Sequence, residues 1–384
     1  MRPDYLGAYN SHVDFTPNLD RLARDSIVVR NVYTQYAGTS LSEPAIWSGV
    51  MLPHAHYVQP FHRVNNLERL AELDGYQMIV SWDIILQQIV TSTPDLIKLD
   101  TDKPLWNNFE ACSTVSQAEN VIDRRPDESH PVLFYAQPMN VHQYGRNEAP
   151  TAQQAKWQPR PGFSDRVSYE VHYTDACLGG FIDFLKVRGL YDESIIIVTS
   201  DHGDATGELG RTSHSVIIYP EVMRVPLIVH LPKSLQGSLV YDDHRISALT
   251  DITPSLYYVL GHRPIAHNAM FGRPLFAQTL DELHSYERRG LFFASDIRAA
   301  FGVLSEDGTW FYATYDSPAE SMLFDLALDH DGIHNVITRE LKKEYDTRIV
   351  EYFAGDWRVL RIQARGRPAL SVASVGLRLD ARAQ

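Results

Sequence analysis

The chain has 384 residues, enough for one large α/β domain and a smaller one. Its net charge of −13 lacks the basic footprint that binding to a phosphate backbone needs, which excludes nucleic acid as an expected partner. No apolar run reaches membrane-spanning length, and "MRPDYLGAYN" is not a signal peptide, so the chain as given carries neither a membrane segment nor an export signal.

Taken in order, the predicted elements alternate. "NNLERLAELDGYQMIVSWD" offers Asn66 as a cap, Leu67, Leu70 and Leu73 on one helical face, Gly75 as a stop and "QMIVS" as a strand. Two cysteines occur, Cys112 and Cys177; they form no CxxC pair, so neither a thiolate zinc site nor a disulfide framework is indicated. "PVLFYAQ", from Pro131, is a short apolar strand. In "DRVSYEVHYTDACLGGFIDFLKVRGLYDESIIIVTSD" the residues Val167, Val171, Leu178, Phe181 and Leu185 fall at helical spacing. Gly189 then closes the helix, and Ile195 to Val198 reads as a buried strand. "VPLIVHLP", Val225 to Pro232, is another. Strands that are apolar along their whole length, separated by amphipathic helices, predict an α/β fold with a mainly parallel central sheet covered on both faces.

After about residue 286 the texture changes. "GLFFASDIRAAFGVLSEDGTWFYATYD" alternates short strands around "EDGT", a hairpin signal. "RELKKEYDTRIVEYFAGDW" reads as one amphipathic helix. The predicted division is a catalytic α/β domain over 1–285, a small C-terminal antiparallel α+β subdomain over 286–357, and an arginine-rich tail over 358–384.

The chemistry concentrates after "SIIIV". In such sheets ligands bind beyond the carboxyl ends of strands, and there stand adjacent Asp201 and His202, with His214 thirteen positions beyond Asp201. The bland reading is a polar turn. The sharper one is a metal site, since a carboxylate plus an imidazole suits zinc or manganese better than calcium. No GxGxxG or GxxxxGK loop is present, so no nucleotide cofactor is indicated.

Several segments together resemble the sulfatase branch of the alkaline phosphatase superfamily: "DFTPNLDRLARDSIVVRNVYTQ", "GLYDESIIIVTSDHGDATGE", "YPEVMRVPLIVHLP" with "LTDITPSLYYVLG", and "FDLALDHDGIHN". That family places a nucleophile at a helix start, and counting back from Gly49 leads to Thr39 in "GTSLSEPAIWSG". Neither the Cys nor the P-S-R context of true sulfatases is present; the text is similar to phosphoethanolamine transferases and lipoteichoic acid synthases, which use a Thr. The resemblance therefore implies Thr39 as nucleophile, with Ser40 as the alternative. It implies one divalent ion on Thr39, Asp201 and His202, for which the donor types suit zinc or manganese. It implies that His214 and His142 hold the transferred group or protonate the leaving group.

Asp204 and Glu208 are expected to support the site from behind. Arg224 is expected to brace a loop, and His54 and His56 to have no metal role. In the family a strand ending in an acidic ligand precedes the text of "RPDYLG", and Met1 stands where that text begins. The expectation is therefore a missing first strand and weak metal binding, with a fragment, a misassigned start or a pseudoenzyme as the accounts. The expected activity is hydrolysis or transfer of phosphate esters on a small-molecule, lipid or glycan substrate; sulfate-ester hydrolysis and ligand binding without catalysis are the alternatives.

Overall fold

A computed structural model describes residues 1–52, 60–102, 109–125, 130–142, 156–207, 209–262, 272–317 and 320–363, with side chains of the last helix described to Tyr352. His54, His56, Glu208 and the tail beyond Gln363 lie outside the described residues.

Two three-stranded sheets form the α/β layer. In one, Gln77–Ser81 lies between Ile97–Leu99 and Val132–Tyr135 and is parallel to both. In the other, Leu227–His230 lies between Ile27–Val29 and Ile196–Thr199 and is antiparallel to both. Val32–Tyr33 and Ser247–Ala248 add a further parallel pair. Helices cover both faces, as the alternation of side chains along a strand requires. Leu227 and Val229 pack with Ile46 and Ile252 on one side, while Ile228 packs with Leu19, Leu22 and Ile182 on the other. Likewise Val80 faces the cluster of Leu41 and Trp47, and Ile79 faces Ala118 and Phe181. A strand apolar on both faces therefore reads as an unbroken apolar run.

The C-terminal part is a four-stranded antiparallel meander of Leu291–Ala294, Ala300–Leu304, Trp310–Tyr315 and Met322–Asp325. One face buries Phe293, Phe311 and Phe324 against Tyr33, Ile218 and Val222 of the α/β layer. The other buries Val303, Tyr312 and Leu323 under Tyr345 and Ile349 of the helix Arg339–Gln363.

Four details differ from the sequence reading. The cap of helix Asn66–Leu73 is Asn65, whose side chain accepts from the Glu68 amide at 3.1 Å; with two adjacent asparagines the spacing could not choose. The strand before Asp201 is Ile196–Thr199, and it is half-buried throughout because it is an edge strand of its sheet. The last helix continues to Gln363, past the predicted start of the tail. Cys112 and Cys177 are joined in a disulfide between the packed helices Ala111–Arg124 and Asp165–Val187, which corrects the expectation of no disulfide. A pair separated by 65 positions and brought together by helix packing leaves no spacing signal.

Candidate active site

The strand Ile196–Thr199 empties into Ser200, Asp201 and His202 at its carboxyl end. Thr199 Oγ1 donates to the Pro226 carbonyl at 2.7 Å, which ties this strand end to its neighbour. Facing it is the helix Thr39–Ser48. Its N-cap is Gly38, in extended backbone, so Thr39 is the first helical residue rather than a cap. Glycine at 38 leaves room here, since a Cβ would meet Ser215 Oγ and the Asp296 carboxylate as they stand.

Thr39 Oγ1 donates to Asp201 Oδ2 at 2.6 Å and lies 3.2 Å from His202 Nε2. Asp201 Oδ2 and His202 Nε2 are 3.3 Å apart. His202 Nδ1 faces the Gly203 carbonyl at 2.6 Å, so this ring nitrogen carries the proton and Nε2 presents its lone pair to the site. Burial pulls the His202 pKa down to about 4, which keeps the ring neutral. Burial pushes the Asp201 carboxyl up, but His202 and the Thr39 hydroxyl outweigh it and hold the group below its ordinary value. A carboxylate oxygen, a neutral imidazole nitrogen and a hydroxyl oxygen within 3.3 Å of one another fit the donor set of a zinc-type ion, whose ligands stand at ~2.0–2.2 Å from the metal.

His214 and His142 complete the grouping. The His214 ring lies 4.3 Å from that of His202 and 5.1 Å from that of His142, centroid to centroid. Its Nδ1 is 3.2 Å from Asp204 Oδ1. His214 stands between two residues with left-handed backbone, Ser213 at φ 76° and Ser215 at φ 66°. Such conformations cost on the order of 1–3 kcal/mol each for residues other than glycine and persist only where the surroundings enforce them. His142 is half-buried, and burial followed by the neighbouring His214 lowers its pKa. The structure thus brings Thr39, Asp201, His202, His214 and His142 together, with Asp204 behind His214. Arg224 is elsewhere: its guanidinium donates to the His330 carbonyl at 2.7 Å and braces that loop. Asp4 pairs with Arg2 at 2.6 Å.

Three acidic residues were missed. Glu43 is fully buried, one helical turn after Thr39, and neither carboxyl oxygen has a hydrogen-bond partner among the described residues. Burial, with the nearby carboxylates of Asp83 and Asp201, raises its pKa well above the ordinary range. Asp83 follows the strand Gln77–Ser81 and accepts from the amides of Ile85 and Leu86, each at 2.8 Å. Asp296 comes from the meander and accepts from Ser40 Oγ at 2.7 Å. For Glu43 the i, i+4 spacing from Thr39 was a usable signal; for Asp83 and Asp296 there was none.

An α/β layer with a hydroxyl at a helix start opposite an Asp-His strand end defines the class to which comparison with known proteins then points. The Sulfatase family profile matches residues 1–262, and the chain belongs to the sulfatase family. Arylsulfatase K of Bos taurus is 29% identical over 177 residues, which cover 43% of this chain and 32% of that protein. Lipoteichoic acid synthase 2 of Bacillus subtilis is 29% identical over 105 residues, covering 25% of this chain and 16% of that one. The chain therefore spans about a third or less of the length of these relatives. Among solved structures, the phosphonate monoester hydrolase of Agrobacterium radiobacter superposes with a TM-score of 0.60 at 17% identity, covering 92% of this chain and 94% of that one.

Proposed function

We propose that this sulfatase-family chain cleaves or transfers phosphate esters, with Thr39 Oγ1 as the nucleophile and Asp201, His202 and Thr39 as the ligands of one divalent ion. The observation that carries this reading is the Thr39 hydroxyl, 2.6 Å from Asp201 and 3.2 Å from His202 at the start of a helix. Zinc or manganese suits the mixed oxygen and nitrogen donors, and when bound such an ion lowers the pKa of a coordinated hydroxyl and neutralises developing charge.

The chain's own residues do the rest. Asp201 takes the hydrogen bond of the Thr39 hydroxyl and so orients its oxygen toward the ester. As that oxygen attacks, its proton is lost and the bond to the departing oxygen breaks, and water or an acceptor alcohol then takes the group from Thr39. The helix N-terminus favours the negative charge of the transferred group. His214 and His142 bind the non-bridging oxygens, and one of them gives its proton to the departing oxygen. Burial disfavours the charged form of Glu43, which limits repulsion behind Thr39. The substrate class is a small-molecule, lipid or glycan ester. The disulfide Cys112–Cys177 suits an oxidising compartment outside the cytosol.

Sulfate-ester hydrolysis is the second reading, favoured by the match to arylsulfatase K. Against it stands the absence of the Cys- or Ser-type formylglycine precursor at position 39. Turnover of aryl phosphates, phosphate diesters and aryl sulfates, each with zinc and with manganese, separates the two. Phosphate esters are expected to turn over best, and Thr39→Ala to lower kcat by roughly 10⁴-fold or more without loss of folding. A preference for sulfates establishes the second reading. Binding of inorganic phosphate with no turnover marks a non-catalytic protein. If Thr39→Ala stays active while Ser40→Ala is dead, the nucleophile is Ser40.

A further inference from the structure

The meander contributes more to this site than a covering layer. Its edge strand docks on the segment that leads into the nucleophile: the Ala294 amide donates to the Gln35 carbonyl at 2.9 Å, and the Ala37 amide to the Ala294 carbonyl at 3.3 Å. The next residue, Ser295, donates its hydroxyl to the Ser215 carbonyl. Asp296 Oδ2 then accepts from Ser40 Oγ at 2.7 Å. A third link closes the circuit, because the Ser215 amide donates to the Ala37 carbonyl at 2.6 Å.

We propose that the Ser295–Asp296 turn is a positioning clamp that fixes the nucleophile segment Gly38–Ser40 and the His214 segment against each other. The proposal rests on the roles of Thr39 and His214 given above.

Three observations support it. The left-handed backbone at Ser213 and Ser215 needs outside enforcement, and Ser295 grips the second of these residues. Gly38 leaves the space that Ser215 Oγ and the Asp296 carboxylate fill together, so the three segments interlock rather than merely touch. Asp296 holds its position although Oδ1 is buried without a hydrogen-bond partner among the described residues, a cost that a solvent-facing surface carboxylate avoids. One consequence concerns the choice of nucleophile. Ser40 is held as a donor to Asp296, while the adjacent Thr39 is left to face Asp201 and His202.

The test uses the full chain with manganese and an aryl phosphate. Asp296→Ala is expected to lower kcat about tenfold to a hundredfold with KM little changed, the size of effect that a misplacement of about 1 Å produces. Asp296→Asn, whose amide oxygen still accepts from Ser40, is expected to recover most of the loss. Ser40→Ala should cost as much as Asp296→Ala, and the double variant no more than either. Hydrogen exchange in the two loaded segments is expected to rise in Asp296→Ala and in Ser295→Ala alike.

Wild-type kcat in Asp296→Ala, a loss confined to KM, or additive effects of Ser40→Ala and Asp296→Ala would overturn the clamp. If Asp296→Ala does not fold, Ser295→Ala and Ser40→Ala carry the same comparison. If the wild type turns over no ester, the proposed reaction fails by itself. Hydrogen exchange then decides the clamp alone: unchanged exchange around His214 in both variants refutes it.

Discussion

The strands that deliver the site and the strands of the meander are built very differently. Val132–Tyr135 and Ile196–Thr199 are apolar yet half-buried along their whole length, and each is the edge of its sheet. The meander supplies none of the site residues expected from sequence, and its Phe293, Leu304, Phe311, Tyr312 and Leu323 are fully buried. An open backbone edge means lower local stability, and a sealed core means high local stability. The lesson is that Asp201 and His202 follow an open-edged strand, while the segments carrying Thr39 and His214 are held from the meander, through Ser295 and Asp296.

Among changes that probe this contrast, the largest expected effect falls on His214, which hangs between the two regions. His214→Gln keeps a polar side chain but removes a group able to bind and protonate, so kcat should fall by roughly 10²–10⁴-fold. The measurement is kcat against pH for aryl phosphates. A drop below about tenfold would mean that the strained Ser213–Ser215 loop serves shape rather than proton transfer.

Next comes the disulfide, which joins the two helices beneath the half-buried strands. Cross-linking residues 65 apart stabilises by about 4 kcal/mol in the chain-entropy description. Replacing both cysteines with Ala should lower the urea midpoint accordingly. It should also speed hydrogen exchange in Val132–Tyr135 and Ile196–Thr199 while leaving the meander unchanged. Equal loosening of these strands and of the meander would erase the contrast drawn between them.

Much of this fold was legible because burial leaves patterns. Unbroken apolar runs gave Gln77–Ser81 and Leu227–His230, and the "EDGT" turn gave the hairpin of Ala300–Leu304 with Trp310–Tyr315. Local spacing and resemblance named Thr39, Asp201, His202, His214 and His142, and the structure gathers those five. What stayed hidden depends on contacts between distant segments. The antiparallel direction of Leu227–His230 is a matter of pairing, not of composition. Asp296 lies 256 positions from Ser40, and Cys112 and Cys177 meet only because two helices pack. Asp83 reads as an ordinary turn residue until the helix bearing Glu43 is laid beside it.

Asp83 offers the smallest effect and the cleanest sign. Burial raises its carboxyl to about 6, against an ordinary value of 3.8, with Asp201 adding in the same direction. A carboxyl raised in the folded state binds its proton more tightly there than in the unfolded chain. Its contribution is therefore fully present below the unfolded value and is lost as the pH rises through about 6. The amount is on the order of 3 kcal/mol. The meander's Asp307 has the opposite sign: hydrogen bonds from Ser305 and Thr309 lower its pKa, so its small contribution is lost as the pH falls. Asp83→Asn keeps the acceptor for the Ile85 and Leu86 amides but cannot ionise. The variant should match wild type in urea unfolding near pH 4 and exceed it above about pH 7, with EDTA present throughout. An equal difference between the two proteins at both pH values would show that Asp83 ionises normally, and that its surroundings admit enough water to solvate it.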